Sequence, residues 1–368
     1  MIYLDNGATS FCKPPEVYRA MYRAIYTCAN PGRGGYAAAM EAGKVVFQCR
    51  EAAAGLFDCQ PEQVVFTSNC THGLNIGIHT LVRPGAKVLI SGFEHNAVTR
   101  PLKLLGAEVQ VAGRRLFDWE DTLSDFEVQL RRGVDAAVFT HVSNVFGYIL
   151  PVVQMGRLCR QYGVPFILDA AQSAGSQSVD LEGLGADYIA MPGHKGLLGP
   201  QGTGLLLCAS EPKPLLMGGT GNMSVLQDMP PELPERLEPG TLNVPGIAGL
   251  RAGLDEVLRI GTDAIGKTEE TACKCCISGL KKLGFRVFEG EHQGGTVSFL
   301  PGEDCQVLAD RLAQHGIAVR SGLHCAPLAH ESAGSLETGT VRVSFGHRAT
   351  VEQARKFLET VRKLVTKV

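Results

Sequence analysis

From residue 63 to residue 208, short β-branched and apolar runs alternate with amphipathic stretches, and this alternation narrows the folds open to the chain more than any other feature. Strands are expected at 63–67, 87–91, 107–111, 136–141, 165–169, 188–191 and 203–208, with helical intervals such as 71–82 and 155–162 between them. A strand, a crossover helix and a further strand at this spacing argue for an α/β unit, a mostly parallel seven-stranded sheet wrapped in helices. The pattern changes after the proline-rich piece 229–239. Helical runs at 247–260 and 262–283, strands near 286–288 and 295–299, a helix at 305–315, strands at 317–320 and 341–345, and a last helix at 350–365 predict a smaller α+β unit. Residues 1–15 read as irregular, with Pro14-Pro15 opening a helix and another helix running to about residue 56.

With 368 residues the chain can bury a large core and should form about two domains. A formal charge of −2 gives no electrostatic case for nucleic acid or a membrane surface. The N-terminus lacks the basic and apolar regions of a signal peptide, and no apolar run approaches the ~20 residues that span a bilayer. Twelve cysteines lie scattered along the chain, which suits reduced thiols in the cytoplasm. The Cys273-Lys-Cys-Cys cluster has no second ligand pair nearby, so no metal site is expected.

Open parallel sheets bind ligands at the carboxyl ends of their strands. Four polar groups fall at such ends. The glycine-rich stretch 187–204 turns at Pro192-Gly193 and presents His194 and Lys195. A lysine enclosed there would be partly desolvated, which lowers its pKa toward nucleophilic use; a surface lysine in a turn has the same letters. Asp169 closes an apolar strand, where a carboxylate needs a partner; a protonated ring nitrogen would serve, and so would a structural or metal role. Residues 67–73 join a strand to a helix, and the helix start offers N–H groups to a phosphate, although ordinary N-capping explains the same residues. His95 follows another strand end and could stack on a flat ring or stand in solvent.

Two further groups belong to the smaller unit. Cys325 lies in Arg320-Ser-Gly-Leu-His-Cys-Ala-Pro327, where cationic Arg320 and His324 would favour thiolate. Arg342 sits in an apolar alternation and needs an anion, either a substrate carboxylate or an internal acidic residue.

Taken in order, Tyr3-Leu-Asp-Asn-Gly-Ala-Thr, Asn30-Pro-Gly-Arg-Gly-Gly, Ser143-Asn-Val-Phe-Gly, Leu168-Asp-Ala-Ala-Gln-Ser-Ala-Gly, Gly193-His-Lys-Gly-Leu-Leu-Gly-Pro and Gly240-Thr-Leu-Asn-Val-Pro resemble the class V aminotransferase family of fold-type I pyridoxal phosphate (PLP) enzymes. Within it the chain looks like the SufS-like group of cysteine desulfurases and selenocysteine lyases, over nearly its whole length. The resemblance implies a PLP-binding large domain over 16–245 and a small domain made of 1–15 and 246–368. It implies that Lys195 carries PLP and later acts as base, that Asp169 pairs with the pyridine nitrogen, and that Gln172 and Asn144 lie near the ring hydroxyl. Asn144 would also touch substrate. His95 would stack on the ring and help move protons. Cys70, Thr71 and His194 would surround the phosphate, with Thr241 reaching across from a second subunit of a homodimer. Arg342 would hold the carboxylate of L-cysteine. Cys325 would accept the sulfur as a persulfide and pass it to an acceptor protein, a sulfur mobilisation of the kind that feeds iron–sulfur cluster assembly.

Two departures from the pattern are Pro192, where a serine or threonine is common, and Tyr36, where close relatives often have histidine. Alternatives are selenocysteine or cysteine lyase, a transaminase with an idle Cys325, and a PLP-binding subunit without turnover.

Overall fold

The computed structural model describes residues 1–32 and 34–365, so Arg33 of the glycine-rich loop motif lies outside the described residues. The strands, in chain order, are β1 (Ile2–Tyr3), β2 (Val64–Thr67), β3 (Lys87–Ser91), β4 (Glu108–Ala112), β5 (Ala136–Thr140), β6 (Phe166–Asp169), β7 (Tyr188–Pro192), β8 (Gly204–Cys208), β9 (Arg286–Phe288), β10 (Thr296–Leu300), β11 (Ile317–Ala318), β12 (Arg320–Gly322) and β13 (Thr340–Ser344). Seven of them form one sheet in the order β2-β8-β7-β6-β5-β3-β4. Pairs from β7 through β4 are parallel, and β8 alone runs against its neighbours. This is the mostly parallel α/β sheet expected from the alternation, with strand bounds within about two residues.

The sheet is apolar on both sides, which is why its strands read as continuous runs. Leu89, Ala137, Phe139 and Leu168 join one core cluster. Their neighbours Val88, Ile90, Val138 and Ile167 join another, so alternate residues supply opposite faces. Edge strand β4 is half in solvent, exposed at Glu108 and Val109 and buried only at Ala112. The parallel direction of β3, β5, β6 and β7 brings their carboxyl ends to one edge.

The second unit is a four-stranded antiparallel sheet, β12-β13-β10-β9, beside a two-stranded parallel pair of β1 with β11. The single strand expected at 317–320 therefore splits. Ile317–Ala318 pairs with the chain's own beginning, while Arg320–Gly322 pairs with β13. Residues 1–15 are likewise more ordered than the sequence suggested, because β1 and a bridge from Asp5 to Ser344 tie them into this sheet. Leu4 is fully buried in the same core as Val297, Val341 and Phe357. Helix Val244–Ile260 packs chiefly on helices Pro15–Thr27 and Ala37–Phe57. Among the described residues no helix is long and apolar enough to cross a membrane.

Candidate active site

A cavity at the shared strand edge is lined by Cys70, Thr71, His95, Asn144, Asp169, Gln172, His194 and Lys195, which come from five different strand ends. Chain segments up to 125 positions apart in the alternating pattern thus supply one site, as an open α/β sheet requires. Two glycines let the lysine loop close on its neighbour. A Cβ at Gly175, whose φ is +98°, would lie 2.3 Å from the Gly196 carbonyl oxygen, and one at Gly196 would lie 2.2 Å from that of Ala174. Those contacts account for the glycines in Ser-Ala-Gly and in His-Lys-Gly.

Asp169 is 3% exposed, and its Oδ1 accepts from the Ala171 N–H at 2.9 Å and from the Cys70 thiol at 3.4 Å. Burial, reinforced by Asp169, raises the Cys70 thiol well above its ordinary pKa, so it stays a donor. Its side chain is therefore turned to Asp169, and what Cys70 can offer a phosphate is its N–H at the start of helix Cys70–Leu81. Burial lowers the Lys195 pKa against the raising effect of Asp169. Burial also lowers His95, whose Nδ1 accepts from the Ala97 N–H at 3.0 Å and thereby leaves the ring proton on Nε2. His194 is held neutral by burial, with its pKa near 4, and its Nδ1 lies 3.0 Å from the Thr9 hydroxyl. Pro192 lines the same cavity and is buried, where it has no hydrogen to donate.

Arg342 is 2% exposed and already has an internal anion. Its Nη2 donates to Asp5 at 2.7 Å and its Nη1 to the Asn144 carbonyl oxygen at 2.9 Å, while Nε has no partner. The Asn144 amide donates to the His324 carbonyl oxygen at 2.7 Å, and its Oδ1 is buried without a partner. Gln172 donates to the Gly7 carbonyl oxygen at 2.9 Å.

The Cys325 loop docks on this edge through the Cys325 carbonyl, which accepts from the Asn96 N–H at 2.8 Å, one residue beyond His95. His324 and Cys325 both adopt left-handed backbone, with φ of +50° and +56°, an uncommon pair for non-glycine residues that exposes the thiol. Of the two cationic neighbours expected for Cys325, only Arg320 carries charge, and it shares it with Asp5. His324 is buried and its pKa is driven far down by desolvation, so it is neutral, and Arg320 is paired with Asp5 at 3.0 Å.

Sequence reasoning missed the N-terminal segment as part of the site. Thr9, Ser10 and Lys13 all donate to the His194 carbonyl oxygen, at 3.1, 3.1 and 2.8 Å. Burial lowers Lys13 to about 8. It also missed Glu94, which is fully buried before His95 and accepts on Oε1 from Ser91 and, at 2.9 Å, from the Thr140 N–H, so that it ties β3 to β5. Burial raises its pKa to about 8. Thr241 does not reach the cavity; it is exposed in a separate groove with Asn30, Tyr36 and Thr220. Among the described residues no group of His, Cys, Asp and Glu is placed to hold a metal. Cys273 and Cys276 are core residues.

The donor set suits PLP. It combines a buried carboxylate for a ring nitrogen, an amine with lowered pKa, a helix start with a threonine for a phosphate, and the unpartnered Asn144 Oδ1. The sequence profile of the family described as Aminotransferase class-V matches residues 2–357. A probable cysteine desulfurase of Methanothermobacter thermautotrophicus is 34% identical, over 99% of this chain and 94% of the relative. One from Pyrococcus abyssi is 32% identical, with the same coverage. An apo cysteine desulfurase from Thermococcus onnurineus superposes with a TM-score of 0.93 at 33% identity, over 100% of this chain and 95% of that one. Another from Escherichia coli gives 0.87 at 26%, also over 100% and 95%. The chain belongs to the class V aminotransferase family, whose members are PLP-dependent, and its relatives here are cysteine desulfurases.

Proposed function

We propose that the chain is a PLP-dependent cysteine desulfurase, which converts L-cysteine to L-alanine and takes the sulfur as a persulfide on Cys325. The observation that carries this reading is the docking of an exposed thiol, Cys325, beside His95 at the edge that also holds Lys195 and Asp169. PLP bound there supplies an electron sink for the pair left behind when a Cα proton departs. The chain's residues do the rest. Asp169 holds a ring nitrogen protonated, and Lys195 carries the cofactor and afterwards moves the Cα proton. Neutral His95, with its Nδ1 occupied by the Ala97 N–H, would hold the ring from one side and offer its Nε2 proton to the substrate. Asn144 and Gln172 orient the ring hydroxyl, and the helix start at Cys70–Thr71 with His194 holds the phosphate, joined by Thr241 of the partner subunit. Arg342 grips the substrate carboxylate with the N–H groups that Asp5 and Asn144 leave unused. A thiol or an acceptor protein must then collect the sulfur, because Cys325 has to be free for the next turnover. Twelve free cysteines suit a reducing compartment such as the cytoplasm.

The test is to give purified holoprotein L-cysteine, with L-selenocysteine and other amino acids beside it. Alanine and protein-bound sulfur in equal amounts are expected from L-cysteine. Absence of alanine, or alanine without transferred sulfur, overturns the reading.

A homodimer is part of this proposal. Tyr18, Tyr22, Ile25 and Tyr26 on helix Pro15–Thr27 are exposed, as are Met40 and Phe47 on helix Ala37–Phe57 and Tyr36 at its start. So many exposed large apolar side chains on neighbouring elements suit a subunit interface. Sedimentation at micromolar concentration should give twice the chain mass of 39.3 kDa. A fully active monomer would rule the dimer out.

A further inference from the structure

Thr340 and Arg342 of β13, and Ser298 of β10 opposite Arg342, share one face of the small sheet, and all three are buried. The hydroxyl protons on this face can be counted. Ser298 Oγ donates to the Val145 carbonyl oxygen at 2.6 Å, which uses its one proton, so the Thr340 hydroxyl donates to Ser298 at 3.1 Å. Thr340 then has no proton left for His324, whose Nε2 stands 3.2 Å away and must itself carry the ring proton. The other ring nitrogen, Nδ1, is buried without a partner among the described residues. Desolvation, with the nearby Arg342 and Arg320 guanidiniums, holds the ring neutral, and His330, 5.8 Å away between ring centroids, is neutral by burial too. The circuit closes on the cavity wall. The Asn144 amide donates to the His324 carbonyl oxygen at 2.7 Å, and the Asn144 carbonyl oxygen accepts from Arg342 at 2.9 Å.

Residues 144–145 and residue 324 are thus joined twice, once through the loop's main chain and once through its buried ring. A single main-chain bond would let the loop pivot; the ring fixes its direction. It also holds two successive residues, His324 and Cys325, in left-handed backbone that non-glycine residues keep only when their surroundings enforce it. Resting on the desulfurase reading, we propose that His324 is a positioning residue for sulfur transfer. Its neutral ring, braced through Thr340 and Ser298 against the Asn144–Val145 wall, aims the Cys325 thiol at the substrate's sulfur and takes no proton from it. In the step it serves, the Cys325 thiolate forms a bond to the substrate's sulfur after its proton leaves to solvent. The Cβ–S bond breaks, its electron pair stays with the carbon skeleton, and protonation there gives alanine. The attacking sulfur must approach along that bond, so its aim matters more than its charge, and a misplacement of about 1 Å can cost on the order of a hundredfold.

The experiment mixes holoprotein with L-cysteine and follows two signals, the cofactor's absorbance as the amino acid binds and the arrival of sulfur on the Cys325 peptide. His324→Ala should bind L-cysteine within about threefold of the native constant, because Ser298 and Arg342 still hold the Asn144–Val145 wall. It should transfer sulfur about a hundredfold more slowly. His324→Gln, whose amide can donate to Thr340 as Nε2 does, should recover most of that loss. Alkylation of Cys325 by iodoacetamide, followed against pH without L-cysteine, should keep its midpoint in His324→Gln, since a neutral ring neither charges nor deprotonates the thiol. Transfer in His324→Ala within about twofold of native overturns the proposal, as does a failure of glutamine to restore it. A midpoint that rises in His324→Gln overturns it as well, because His324 would then be activating the thiol. Should His324→Ala not fold, Thr340→Val decides. It keeps the shape and removes the acceptor, so transfer should fall by about tenfold or more with binding retained; native transfer refutes the proposal. A native protein that binds L-cysteine yet never places sulfur on Cys325 overturns the desulfurase reading itself, a failure visible before any variant is made.

Discussion

Replacing Lys195 with alanine should abolish desulfuration, with kcat falling by on the order of 10⁴-fold or more, since both proton transfer at Cα and the covalent hold on the cofactor are lost. The cavity offers no substitute base at the same atom: His95 accepts the Ala97 N–H on Nδ1 and keeps its proton on Nε2, and His194 is committed to Thr9. Because burial lowers the Lys195 pKa, its neutral amine is present at a lower pH than an exposed lysine's would be. A second readout does not depend on turnover. Borohydride reduction of the native holoprotein should fix the cofactor on the peptide containing Lys195, and should fix none on Lys195→Ala. Lys13 is the competing amine. Its pKa is near 8, and its Nζ donates to Ser10 and, at 2.8 Å, to the His194 carbonyl oxygen. Label on Lys13 in the native protein would move the attachment site and with it the whole assignment of roles.

The elements that were legible in the sequence are those whose burial shows in local pattern. Strands β5, β6, β7 and β8 are buried along their entire length, so their runs are apolar without interruption. Asp169 and Lys195 stood out because a charge interrupts such a run at its end. Asp5 and Lys13 carried no such mark. The two-residue strand β1 is too short to show a period, and its partner β11 lies more than 300 positions later. The contact between Arg320 and Asp5 joins residues 315 positions apart, and no local spacing predicts it. The same blindness misjudged Cys325. Arg320 and His324 are close in sequence and suggested a cationic neighbourhood, but Asp5 shares the charge of one and burial discharges the other. Arg342 had two readings in the sequence, an internal ion pair or a substrate clamp. The ion pair is present, and it leaves Nε and further N–H groups for a ligand.

Replacing Cys325 with serine should abolish persulfide formation while the cofactor's absorbance and occupancy stay as in the wild type. The thiol is required for sulfur transfer, yet Cys325 is not among the residues that line the Lys195 cavity, so its loss removes no contact there. Serine is nearly isosteric, so the left-handed turn at φ +56° and the 2.8 Å bond from the Asn96 N–H should persist. The other thiols are poor candidates for a physical reason. Burial raises the pKa of Cys49, Cys70, Cys208, Cys273 and Cys276, which keeps them protonated and unreactive. Cys12 is the comparison that matters, because among the described residues it is the other exposed cysteine, and it lies next to Lys13 in the N-terminal segment. Cys12→Ser should transfer sulfur at the native rate. Peptide mass after one turnover with L-cysteine should place the extra sulfur on Cys325 in the native protein and in Cys12→Ser, and nowhere in Cys325→Ser. Sulfur found on Cys12, or transfer undiminished in Cys325→Ser, would mean that the docked turn beside His95 presents a structural thiol, and that the nucleophile enters the site from the N-terminal segment instead.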